Sequence, residues 1–451
     1  GWSYGATVTD PRTGEIIKGQ VTLGSLRVRQ DYLIFTGLLA PYETGKPVPN
    51  TMREAALQRL RQLSAHEIGH TLGLQHNYAS SYNDRASVMD YPHPNIFVNE
   101  KGAIDFSKVY TNEIGAWDKR AIMYGYQDFE KNTDETKALQ NLLAENTKQG
   151  LLFIADADAR AASGFHPNAH LWDNEKDATV GLKNTLAVRA KALENFSENT
   201  IRIGAPLATL EDVLVPVYNY HRYQLEAVCK LIGGIDYSYS TRGDEQKKPN
   251  FVPAAMQQKA LAAAVACLSP TTLTLPEFIV AQIPPRPPLY YSGELFAKRT
   301  GMSFDPLSAA EALADFELAF LFNPERANRL TINKARGEGI GFAELIDAVV
   351  AETFQKPLGK GLQEAVGLQT QQMVVTWLLG VSQSEQSNYM VKSICHEKLN
   401  ALKKWAGEQV KSNKYKTHYA YLIERIAHPK EISLPKHKEI APGAPIGCDM
   451  D

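Results

Sequence analysis

The stretch Ser64–Asn77, SAHEIGHTLGLQHN, places three histidines and one glutamate within eleven residues. His66 and His70 are four apart, so on a helix they share one face, about a turn from each other. Both imidazoles can therefore reach one metal ion. Glu67 follows the first histidine, where it can contact a metal-held water without being a ligand. Gly73 lets the chain turn sharply, and His76 then swings back as a third ligand. Three protein ligands leave the fourth position of a tetrahedral zinc site open to water, which is the catalytic arrangement. The chemistry implied is attack of a zinc-activated water on a carbonyl, with Glu67 as general base and then as proton donor to the leaving group. The competing reading is a helix that happens to carry histidines. The joint spacing of His66, Glu67, His70, Gly73 and His76 argues against it.

These residues need a helix, a turn and supporting elements. Residues 51–74 predict one helix, with apolar residues at Ala55, Leu57, Leu60, Leu63, Ile68 and Leu72. Thr51 is the expected N-cap with Glu54 completing a capping box, and Gly73 is a natural stop. Upstream, residues 2–9 read as a strand, DPRTG as a turn and residues 15–28, EIIKGQVTLGSLRV, as a second strand, so the chain opens with a β-hairpin. Residues 77–110 read as irregular, and NEIGAWDKRAIMYGY as a helix closing at Gly125. Past residue 130 a strand-like run, GLLFIADAD, precedes helical segments near 178–197, 209–233, 253–268, 306–322, 342–354, 360–381, 385–411 and 415–427. IPPRPPLYYSG is a proline-rich connector between helices. The expected organisation is α+β. It comprises a zinc catalytic domain at 1–130, a mostly α-helical domain at 131–428 and an extended tail at 429–451.

Composition narrows the function classes. With 48 basic against 50 acidic residues and a net charge of −2, nothing predicts nucleic acid or an anionic membrane as partner. No apolar run reaches the roughly 18 residues of a membrane span. Cys229, Cys267, Cys395 and Cys448 form no CxxC pair, so a cysteine zinc site is not expected. The first three read as buried thiols on helices. The opening GWSYGATVTD lacks a Met and a signal peptide, and reads as the start of a fragment or processed piece.

The segment HEIGHTLGLQH resembles the metzincin signature HExxHxxGxxH at every fixed position. The resemblance implies a zinc metalloendopeptidase holding one Zn2+ and acting on a peptide or protein substrate. Metzincins carry a methionine turn below the metal. SVMDYP, at Ser87–Pro92, is similar to it and lies thirteen residues after His76, so Met89 is the expected apolar floor. Tyr91 stands where related enzymes carry a tyrosine that binds zinc and then stabilises the transition state. A tyrosine there can also simply pack. Asp90 reads as a hydrogen-bonding neighbour, and His93 as a rival contact that three histidines make redundant. Asp118, Ala121, Tyr124 and Gly125 are similar to the helix that follows the Met-turn, with Asp118 bracing that turn. The opening strand resembles the sheet edge along which substrate lies. This makes Tyr4, Gly5, Ala6 and Thr7 candidate substrate contacts. Such a domain has a further strand, helix and strands before this hairpin, whereas only 65 residues precede His66, so the catalytic half reads as truncated.

More narrowly, DPRTGEIIKGQVTLGSLRVRQDYL, WDKRAIMYGY, NAHLWDN, ENFSENTI and IPPRPP resemble the C-terminal portion of a bacterial Met-zincin family of long, exported proteins. That resemblance implies a secreted or periplasmic, cell-envelope setting. Two other readings stay open. One is a binding or scaffold module with a vestigial zinc site. The other is a zinc amidohydrolase on a non-protein amide, since the zinc–water–glutamate unit would be the same. His170, Trp172 and Asp173 of NAHLWDN read either as cleft contacts or as a packed junction. His221, in YNYHRYQLEAVCKL, reads as core.

Overall fold

A computed structural model describes residues 3–244, 246–292, 294–411 and 414–429. Strands β1 (Tyr4–Thr9) and β2 (Ile16–Thr22) form the expected antiparallel hairpin, Tyr4 facing Thr22 and Val8 facing Lys18. Asp10 closes the turn, its backbone N–H donating to the Glu15 carbonyl at 2.9 Å and its carboxylate accepting from Arg12.

The second strand ends earlier than its β-branched run suggests. Ser3 Oγ accepts from the Gly24 N–H at 2.9 Å, and helix α1 (Ser25–Leu39) begins at once. Its buried face, Arg27, Gln30, Asp31, Ile34, Phe35 and Leu38, has helical spacing but starts with polar residues. The buried Arg27–Asp31 ion pair stands where an apolar residue would have announced the helix.

Helix α2 (Thr51–Thr71) carries the histidines. Its N-cap is Asn50 rather than Thr51, and Asn50 Nδ2 donates to Glu54 at 2.9 Å without capping a backbone N–H. Residues 77–110 are largely irregular, with a small antiparallel pair β3 (Phe97–Val98) and β4 (Ile104–Asp105). Helices α3 (Ala116–Tyr126) and α4 (Glu135–Lys148) follow, the latter unforeseen in the sequence. Residues 151–155 join no sheet, contrary to the strand-like reading. Asn77 and Tyr78 hold that stretch through backbone groups of Leu152 and Ile154, and it leads into the short helix α5 (Asp156–Arg160). Helix α6 (Ala178–Glu194) falls where expected, while the segment read as 209–233 divides into α7 (Leu210–Tyr218) and α8 (Arg222–Leu231).

The remaining helices are α9 (Ala254–Val265), α10 (Pro270–Leu273), α11 (Glu277–Val280), α12 (Pro306–Leu321), α13 (Pro324–Ala335), α14 (Phe342–Val350), α15 (Leu362–Gln383), α16 (Tyr389–Gln409) and α17 (Lys416–Ala427). The proline-rich connector lies between α11 and α12. A π-helical turn, Ala351–Gln355, continues α14. No single helix among the described residues is long and apolar enough to cross a membrane.

Two compact units result. One takes in the described chain up to Ala227 together with Asp236–Asn250, and the other Val228–Ile235 and the described chain from Phe251. Compactness thus groups α4 to α7 with the zinc motif, later than the change of sequence character near residue 130. The tail read at 429–451 lies, from residue 430, outside the described residues.

The first unit is built on α1, α2 and α7. Ile34, Phe35 and Leu38 of α1 are buried, as are Val213, Leu214 and Val217 of α7. A Cβ on Gly37 would lie 2.3 Å from Val217 Cγ2 and 3.1 Å from the Val213 carbonyl. Gly37→Ala should therefore destabilise the chain by about 1–3 kcal/mol, read as the denaturant midpoint. Gly125→Ala, with nothing within 4 Å of the added carbon, should be neutral or stabilising by up to about 1 kcal/mol. A midpoint unmoved by Gly37→Ala would contradict the close approach of α1 and α7.

Candidate metal centre

His66, Glu67 and His70 are all buried on α2. The helix stops just past them. Gly73 has φ +82°, a left-handed conformation that costs glycine little, and the Leu74 N–H returns to the Gly69 carbonyl at 3.1 Å. The reversal brings His76 against the first two histidines. Ring centroids lie 4.7 Å apart for His66–His70 and His70–His76, and 5.2 Å for His66–His76.

Hydrogen bonds fix the ring orientations. His66 Nδ1 meets the Val88 carbonyl at 2.7 Å and His70 Nδ1 the Leu74 carbonyl at 2.9 Å. His76 Nδ1 meets both Asp156 oxygens, at 3.0 and 3.1 Å. All these partners only accept, so each Nδ1 carries the proton and each Nε2 presents a lone pair. The Nε2 atoms of His66 and His70 stand 3.1 Å apart, and one nitrogen from each of the three rings lies within 4.8 Å of the others. Burial, with the neighbouring imidazoles, pushes His66 far below its ordinary pKa, and burial does the same to His70 in lesser degree. Two unprotonated lone pairs facing each other in a buried site repel, and a cation between them removes the conflict. The donor set therefore fits zinc, which takes three such nitrogens at about 2.0–2.1 Å.

Met89 is fully buried below the helix. A Cβ on Gly69 would come within 2.2 Å of Met89 Sδ, so glycine there lets the sulfur seat directly under the histidine turn. Asp118 of α3 holds the Met89 loop. It accepts from Ser87 Oγ at 2.5 Å, the Val88 N–H at 2.8 Å and the Gly115 N–H at 2.6 Å. Burial pushes its carboxyl up, and these donors pull the other way. Because Val88 also supplies the carbonyl to His66, Asp118 and His66 grip the same residue. Of the other residues of that helix, Ala121 and Tyr124 line a cavity of about 510 Å³ that also borders Gly73 and Leu74.

Tyr91 is 1% exposed, its hydroxyl 3.0 Å from His76 Nε2. Asp90 accepts from the Tyr91 N–H at 2.6 Å, and burial beside Asp173 raises its pKa well above the usual range. His93 bonds the Pro94 carbonyl and packs on Tyr220, outside the three-histidine cluster. Trp172 stacks on Tyr91 with centroids 5.0 Å apart, and its backbone N–H donates to the Tyr91 carbonyl at 2.7 Å. NAHLWDN thus packs behind the site, its Ala169, Leu171 and Trp172 in an apolar cluster with Tyr78 and Ile154. His170 and His221 are both buried.

Strand β1 lies against α2. A Cβ on Gly5 would be 2.2 Å from the Glu67 carbonyl oxygen and 2.9 Å from His70 Cβ, so glycine allows the strand to approach. Tyr4, Gly5, Ala6 and Thr7 therefore run beside the histidine turn, and β2 is the only described strand paired with β1.

The sequence gives no hint of two further residues. Asp156 stands 80 residues after His76, and Arg160 follows on the same short helix. Arg160 donates from Nε to Asp156 at 2.5 Å, and from Nη2 to Tyr78 Oη at 2.9 Å and Tyr91 Oη at 3.2 Å. Burial alone would raise the Asp156 carboxyl, but the hydrogen bonds from His76 and Arg160 outweigh it and hold the group below the usual carboxylate range. No local motif marks ADADAR, because its role arises only when residues 151–155 fold along Asn77 and Tyr78.

A family model described as Met-zincin matches residues 49–361. No curated protein and no solved structure matches the chain.

The seat of Met89 can be tested by coupling. Gly69→Ala should destabilise the chain by about 1–3 kcal/mol. In a Met89→Ala background the same change should cost much less, since the clashing sulfur is gone. Equal effects in both backgrounds would contradict the contact.

Proposed function

This chain belongs to the Met-zincin family, and from that premise we propose that it is a zinc-dependent metalloendopeptidase that hydrolyses peptide bonds with Glu67 as general base. The observation that carries the proposal is the fixed outward bonding of all three Nδ1 atoms, which leaves the Nε2 atoms of His66, His70 and His76 to hold one zinc ion. When bound, zinc supplies a Lewis acid that polarises a carbonyl and lowers the pKa of water towards about 7.

The chain's own groups do the rest. Glu67, on α2 between the two histidines, takes the proton of the attacking water and returns it to the leaving amine. The Tyr91 hydroxyl donates to the oxygen of the scissile carbonyl as charge develops there. Met89 is the Met-turn methionine, an apolar floor rather than a ligand. Strand β1 offers the backbone of Tyr4, Gly5, Ala6 and Thr7 to an extended peptide, which adds as a further strand. The exported, bacterial setting implied by the family resemblance belongs to the same proposal.

Glu67→Gln should retain zinc and lose roughly 10²–10⁴-fold in peptide cleavage. A peptide library profiled with and without chelator measures the second, and metal analysis the first. Cleavage by Glu67→Gln at the parent rate would remove Glu67 from the reaction. Chelator-sensitive hydrolysis of small amides but of no peptide would favour the amidohydrolase reading.

A further inference from the structure

Helix α5 lies outside the HEIGHTLGLQH motif and the Met89 loop, yet two of its side chains reach the centre. Asp156 accepts a hydrogen bond from the His76 Nδ1–H, and this tautomer leaves Nε2 unprotonated. Arg160 grips Asp156 with Nε and the Tyr78 and Tyr91 hydroxyls with Nη2. Its guanidinium carbon lies 5.2 Å from the Tyr91 ring centroid. The helix is itself tied down. The Tyr237 and Tyr239 hydroxyls both donate to Asp158, and Tyr239 Oη accepts from the Ala155 N–H at 3.1 Å.

We propose that Asp156 and Arg160 are positioning residues of the metal centre, Asp156 orienting His76 as a ligand and Arg160 holding the Tyr91 hydroxyl beside it. The inference rests on His66, His70 and His76 being the zinc site. A carboxylate on the far nitrogen of a metal-binding imidazole fixes the ring and its tautomer and raises its basicity. His66 and His70 have backbone carbonyls in that place, so His76 alone depends on a side chain. Arg160 solves a second problem. The Tyr91 hydroxyl now donates to His76 Nε2, a lone pair that the metal takes over. The phenol proton then needs a new acceptor, while Arg160 still grips the oxygen. Tyr91 is thus held in place, with its proton available to a substrate oxygen, by Arg160 at the hydroxyl and Trp172 against the ring.

The test uses the full chain and zinc alone as probe, with affinity read by competition against a chromogenic chelator. Asp156→Asn should weaken zinc binding roughly 10–100-fold, and Asp156→Glu should recover part of the loss while folding like the parent. Arg160→Gln should weaken zinc less, and should add little in the Asp156→Asn background because Arg160 reaches His76 only through Asp156. In peptide cleavage, Arg160→Gln should lower kcat with KM kept, and should cost little more once Tyr91→Phe is present. Parent-like zinc affinity in Asp156→Asn would overturn the role of Asp156. Independent, multiplying effects of Arg160→Gln and Tyr91→Phe would overturn that of Arg160. Failure of the peptidase reading shows up separately, as no chelator-sensitive cleavage of any peptide by the parent chain, and leaves the zinc comparison standing.

Discussion

Three imidazoles in one buried pocket, each with its Nδ1 proton donated outwards, leave three unprotonated nitrogens close together where water cannot easily solvate them. That arrangement is unfavourable without a cation, since the Nε2 atoms of His66 and His70 are 3.1 Å apart. Protonation is not the remedy, because burial and the neighbouring rings push His66 far below its ordinary pKa. The site is thereby biased towards a metal. Much of the surrounding structure can be understood as the means of supplying three acceptors for the three Nδ1 protons.

Each acceptor comes from a different device. Leu74 offers its carbonyl because the helix ends in a glycine-terminated reversal. Val88 offers its own because Asp118 holds the Met89 loop at Ser87 and Val88. Asp156 arrives from furthest away, on a short helix delivered by the extended stretch at 151–155. Local, intermediate and distant parts of the chain thus converge on one small volume. This is also why the first compact unit does not end near residue 130: α5 and NAHLWDN lie beyond that point, yet both pack on Tyr91.

The parts legible in the sequence were those with short-range signals. His66, Glu67, His70, Gly73 and His76 announce themselves because helical spacing puts the first three within about one turn and glycine then reverses the chain. The hairpin and most of the long helices were visible through periodicity. Helix α1 was hidden by the polar start of its buried face, where Arg27 and Asp31 neutralise each other. Helix α4 is mostly exposed, so its apolar stripe is weak, and Asn50 displaced Thr51 as cap with no change in pattern. Asp156 and Arg160 could not be read at all, because their partners are tens of residues away and their spacing follows no motif. The strand-like look of GLLFIADAD was an apolar run that pairs with no described strand and is instead hydrogen-bonded to Asn77 and Tyr78.

The central claim is that His66, His70 and His76 together hold one zinc ion through Nε2. X-ray absorption at the zinc edge of the loaded chain tests it most directly. The account predicts one zinc per chain with three imidazole nitrogens at about 2.0–2.1 Å, and a first shell without sulfur. Sulfur scatterers near about 2.3 Å, or fewer than three imidazoles around the ion, would contradict it.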